Sequence, residues 1–190
     1  FSLILLGIWF IIWLIRPVTR RELFKVSIFT MPFGLTEPLF VPEYWNPPSL
    51  FNLAARTGFD MESLIFCFAI GGIGSVLYEV LIKSRHKKMT KHEMHAPHHR
   101  HHQLALLSPI ILFIILEIMT KWNPIYTASV AMFGGGIAAI LCRPDLKKKI
   151  WIGGVSFFIL YFLFFLSVNL LYPAFVSEVW NIAVLSGILI

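Results

Sequence analysis

Six long apolar stretches decide what this chain can become. They cover approximately residues 1–15, 23–41, 61–82, 103–118, 125–142 and 150–171, each closed by charged, glycine- or proline-bearing residues. Runs of this length are what a bilayer selects, since about 20 apolar residues in a helix span its hydrocarbon core. With 57% hydrophobic and 14% charged residues in 190, the chain has far more apolar surface than a soluble domain can bury. The expected fold is therefore all-α, a polytopic transmembrane helical bundle. The first stretch lacks a small-residue cleavage site and leads into a basic segment, so it reads as a spanning helix, not a signal peptide. The second is impure, with Pro32, Gly34, Glu37 and Pro38, and reads as one kinked helix.

The charges order these stretches across a membrane. Arg16, Arg20, Arg21 and Lys25 follow the first. Lys83, Arg85, Lys87, Lys88, Lys91 and Arg100 follow the third, and Arg143, Lys147, Lys148 and Lys149 follow the fifth. Fourteen of the sixteen basic residues thus fall on one side, expected to be cytoplasmic, with the N-terminus outside. Arg16 is placed to reach headgroups. Glu37, Glu43, Asp60, Glu62 and Glu178 fall on the opposite face. The net charge of +6 is thereby explained by topology, and nucleic acid is not an expected partner.

A short pattern occurs twice. Phe40-Val41-Pro42-Glu43-Tyr44-Trp45-Asn46 and Phe175-Val176-Ser177-Glu178-Val179-Trp180-Asn181 agree at five of seven positions. An Arg-Pro pair and a basic run precede each copy, at Arg16-Pro17 and Arg143-Pro144. Two anchors in the same order read as an internal duplication. Residues 1–83 form the first unit, 84–120 a basic His-rich loop and a linking helix, and 121–190 the second unit. Each unit is expected to have three helices. The linking helix restores a parallel orientation, and a seventh helix would follow Ile190, so the chain as given would hold one complete half-site.

Several residues next to these copies have the types acid–base chemistry uses. Glu43, Asp60 and Glu62 gather at the start of the third helix and in the loop before it, with Tyr44 and Trp45 beside them. Plainer roles compete with this one. Asp60 and Glu62 suit a helix N-terminus. Trp45 and Trp180 suit a membrane-interface belt, with Glu43 and Glu178 as interfacial acids. Glu37 can pair with Arg56, and Glu117 has no assigned partner. Gly71-Gly72-Ile73-Gly74 lies within a helix and reads as packing rather than a dinucleotide fingerprint, so no cofactor is expected. His86, His92, His95, His98, His99, His101 and His102 lack an acid or cysteine framework and read as a headgroup-facing loop, with no metal expected.

These residues resemble the membrane-integral lycopene cyclase family of bacteria, archaea and fungi, over essentially the whole chain. The resemblance rests on Pro42-Glu43-Tyr44-Trp45, on Gly58-Phe59-Asp60-Met61-Glu62-Ser63, on the duplication, and on Tyr172-Pro173 to Asn181 leading into Leu185-Ser186-Gly187. The family's segment before the third helix usually reads Gly-Ile-Pro-Ile-Glu-Glu. Here Asp60 replaces the proline and Ser63 the second glutamate. The resemblance implies redox-neutral cyclisation of lycopene or a related acyclic carotenoid. An acid protonates a terminal double bond, a tertiary cation closes the ring, and a base removes a proton. It implies Glu62 as acid or its partner, Glu43 and Glu178 in support, Asp60 behind them, and Tyr44, Trp45, Asn46, Trp180 and Asn181 against substrate. The implied partners are the acyclic carotenoid and membrane lipid, with a homo-oligomer left open. A non-catalytic carotenoid- or lipid-binding protein, and a metal-handling membrane protein built on the histidine loop, are the other classes.

Overall fold

The structure is a computed structural model describing residues 1–41, 43–46, 49, 51, 53–83 and 101–185. Pro42, Ser186, Gly187 and the histidines from His86 to His99 therefore lie outside the described residues. The chain is helical, with α1 Ser2–Ile15, α2 Arg20–Thr30, α3 Leu53–Thr57, α4 Met61–Ile82, α5 His102–Met119, α6 Pro124–Cys142, α7 Lys147–Leu171, α8 Phe175–Val179 and α9 Ile182–Leu185. Among the described residues, four segments are long and apolar enough to cross a membrane, namely Met61–Ile82, His102–Met119, Pro124–Cys142 and Pro144–Leu171. They correspond closely to the last four apolar stretches.

The first two stretches behave differently. Ser2–Ile15 and Pro17–Leu39 reach that standard only as a pair, and the pair bends by 108° at Arg16. The expected single helix over 23–41 is instead an α-helix ending at Thr30 and a 3-10 segment, Met31–Leu39. Pro32 and Pro38 explain the change, since each removes a backbone donor and clashes with the carbonyl four residues back. Arg16 also departs from expectation. Its guanidinium donates to the carbonyls of Glu79 and Val80 at 2.8 and 3.1 Å, at the C-terminal end of α4. Arg20 does the same for α1, donating to Trp13 O at 2.6 Å and Leu14 O at 3.3 Å. Cations at helix C-termini satisfy carbonyls that lack intrahelical partners.

The chain divides into two compact units, Phe1–Arg85 with Ile152–Ile182, and His86–Trp151 with Ala183–Ile190. In the first, Leu5, Trp9 and Ile12 of α1 meet Leu23 of α2 and Ala69, Ile73 and Val76 of α4, with Leu160 and Phe164 of α7 packed against them. Between apolar helices in lipid, close approach and hydrogen bonds hold the helices together, because lipid tails are as apolar as leucine. Both devices are present. Gly72 lets α4 approach Ser27 and Trp9, and Gly71 lets it approach Thr30, so the small-residue run is packing as expected. Trp9 Nε1 donates to Ser27 Oγ at 2.8 Å, and Thr30 Oγ1 donates to Cys67 O at 2.9 Å. Ser27 is fully buried, so Ser27→Ala strands the Trp9 donor. This substitution is expected to cost about 1–2 kcal/mol, read as a lower melting temperature in detergent.

In the second unit α5 and α6 form an antiparallel hairpin. At one end the Thr127 hydroxyl donates to the Glu117 carboxylate, which supplies the partner that the sequence left unassigned. Asn123 caps α6 by accepting from Ile125 N at 3.1 Å. At the other end Cys142 Sγ lies 3.5 Å from His102 Nδ1. Among the described residues no group of three His, Cys, Asp or Glu could hold a metal ion.

Candidate functional site

The site is built in the first unit, where the loop before α4, the 3-10 segment and the stretch after α7 meet. Asp60 is the N-cap of α4. Its backbone is extended and its Oδ1 accepts from Ser63 N at 2.7 Å, the arrangement that a helix N-terminus demands. Asp60 is only 2% exposed. Its own N–H donates to Glu37 Oε2 at 2.7 Å. Glu37, 4% exposed, thus directs its carboxyl to the α4 terminus, and the expected pairing with Arg56 does not occur. Arg56 stands exposed on α3. Glu62 lies in the first turn of α4 and is partly exposed.

Gly34 makes this junction possible. A β-carbon there would lie 2.8 Å from the backbone of Ser63 and Leu64. The 3-10 segment therefore rests directly on the first turn of α4, and Glu37, three residues on, reaches the cap. Glu37 is visible in the sequence as a carboxyl within an apolar stretch, which is itself a functional signal. The repeated pattern does not include it, and sequence reasoning misses it as a site residue.

The two similar stretches touch. Trp45 and Trp180 form an isolated antiparallel bridge. Asn46 N donates to Val179 O, and Asn181 N donates to Tyr44 O, both at 2.8 Å. The equivalent residue of each copy makes the equivalent bond, so the contact has local two-fold character. Such a pair directs the opposed side chains to one face and their neighbours to the other. The Trp45 and Trp180 rings accordingly meet at 5.2 Å, while Tyr44 and Val179 are buried. Phe40 stacks on Trp45 at 5.3 Å and 6°, and Phe165 meets Trp180 edge-on at 6.3 Å.

The remaining candidates lie further out. Glu43, Asn46, Glu178 and Asn181 are exposed. The Glu178 carboxylate accepts from the Tyr172 hydroxyl. The structure thus joins Trp45 and Asn46 to Trp180 and Asn181, and joins Asp60 to Glu37. It sets Glu43 and Glu178 at the surface.

This architecture is that of an all-helical protein with several membrane-length helices. Residues 123–190 match the model of the family described as lycopene cyclase, which supports a lycopene cyclase family assignment on the C-terminal part of the chain. The matched region contains Glu178, Trp180 and Asn181. It supports carotenoid cyclisation in general, with a carotenoid as substrate. No curated protein and no solved structure matches the chain.

Proposed function

We propose that the protein cyclises an acyclic carotenoid end group, of lycopene or a close relative, by redox-neutral acid–base chemistry within a membrane. The observation that carries this reading is the bridge between the two similar stretches. One copy lies in the family-matched region, and the other lies in the loop leading to Asp60 and Glu62. Two copies of one pattern joined backbone to backbone are what a duplicated three-helix unit, over 1–83 and 121–190, would produce about a shared site. The basic clusters then face the cytoplasm of a prokaryotic cell, with the N-terminus outside.

Each step of the chemistry finds a group. Glu62 at the start of α4 handles the proton, as acid or as its partner. Asp60 holds the helix terminus on which Glu62 sits, with Glu43 and Glu178 in support. Phe40, Trp45, Trp180 and Phe165 present ring faces and edges, and an aromatic face stabilises a carbocation as it does other cations. The reaction is an isomerisation, so electrons and atoms balance within the substrate.

The test is pigment analysis of a lycopene-accumulating bacterium carrying the full-length gene. Cyclic carotenoids are expected, and Glu62→Gln is expected to lower them about 100-fold or more, the usual contribution of a positioned acid or base. Unchanged lycopene with the unaltered gene would replace this reading with carotenoid or lipid binding.

A further inference from the structure

Glu37 lies in the 3-10 segment Met31–Leu39, outside the family-matched residues. One of its oxygens is anchored and the other is not. Oε2 accepts the Asp60 N–H at 2.7 Å, while Oε1 is buried and has no hydrogen-bond partner among the described residues. The side chains of Asp60 and Ser63 lie beside this carboxyl, at the start of α4. Asp60 Oδ1 is already committed to Ser63 N.

A buried oxygen without a partner is uncommon and calls for a reason. A carboxyl group in its acid form supplies one. Its carbonyl oxygen accepts, and its hydroxyl oxygen holds a proton to give. Here Oε2 fills the first role toward Asp60 N, and Oε1 is left for the second, with the Asp60 and Ser63 side chains beside the carboxyl. The tight seat of Gly34 on Ser63 and Leu64 fixes this geometry from the backbone.

We propose that Glu37 is a further catalytic residue, the acid that protonates the terminal double bond of an acyclic polyene; this rests on the cyclase reading above. The Glu37 O–H bond breaks and a C–H bond forms at the less substituted carbon of the terminal double bond, leaving a tertiary carbocation at the other carbon and a Glu37 carboxylate. The electron pair of a nearby double bond forms the ring C–C bond and moves the cation into the ring. A ring proton passes to Glu62, its C–H pair becoming the new double bond. Proton transfer from Glu62 back to Glu37, directly or through water, restores the starting state.

Glu37→Gln tests this in the full-length protein, in the lycopene-accumulating host. Glutamine keeps the volume and an oxygen for Asp60 N–H but has no proton to transfer. Ring formation per molecule of membrane protein is expected to fall about 100-fold or more, with melting temperature and retained lycopene near those of the unaltered protein. Glu37→Asp keeps a transferable proton and is expected to form rings well above the Gln variant. Ring formation in Glu37→Gln within a few-fold of the unaltered protein would overturn the proposal, as would equal activity of the Gln and Asp variants per molecule. Absence of rings from the unaltered protein is a different result, and it would remove the cyclase reading along with this one.

Discussion

Gly34→Leu is expected to leave little or no folded protein in the membrane. The reason lies in what the new side chain would meet. Its β-carbon alone would sit 2.8 Å from the Leu64 Cα and N and from the Ser63 carbonyl carbon. These are backbone atoms of a helix, and they cannot turn aside as a flexible side chain does. The 3-10 segment would have to lift from α4. The Glu37 contact to Asp60 N would then break, exposing or stranding two carboxyls that are 4% and 2% exposed. Overpacking alone costs about 1–3 kcal/mol, and loss of a buried hydrogen bond adds about 0.5–1.5 kcal/mol. The measurements are the amount of protein in membranes and its melting temperature in detergent. Values equal to those of the unaltered protein would mean that the segment does not rest on α4 as described.

Alanine at Trp45 and at Trp180 is expected to show coupling. The two rings stand 5.2 Å apart, each braced by a further phenylalanine. Each single substitution removes the shared contact, so the double variant should lose less than the two losses added together. The shortfall is expected at about 0.5–1.5 kcal/mol, the worth of an aromatic pair. Product formation should fall to similar levels in both single variants. Two independent belt tryptophans, each sitting in its own patch of interface, would give simple additivity. A thermal-unfolding double-mutant cycle therefore separates the two roles directly.

These expectations divide according to what residue order can reveal. The spans from α4 to α7 are legible because length and polarity suffice to define them. Pro32 and Pro38 announce trouble in the second stretch. A kinked α-helix and a 3-10 segment share those signals, though, and differ only in how the backbone answers them. Arg16 is legible as a helix end, but its reach to the last turn of α4 depends on a bend that no local pattern specifies. For Asp60 the helix-start pattern leads to its cap. For Glu37 the search for an opposite charge leads to Arg56, because a backbone N–H leaves no mark in a sequence. Repetition of Phe-Val-x-Glu-x-Trp-Asn shows that two loops are alike. It gives no sign that they touch, since likeness in sequence constrains local shape and not position.

The bridge at Trp45 and Trp180 has the form of an isologous contact, the kind that identical subunits make about a dyad. Its hydrogen bonds run from main chain to main chain and carry no side-chain identity. Either stretch can therefore occupy the other's place at the bridge without loss of those bonds. Within one polypeptide this is the joint of a homodimer, already tethered, so the two loops find each other at an effective concentration that no separate subunit could match.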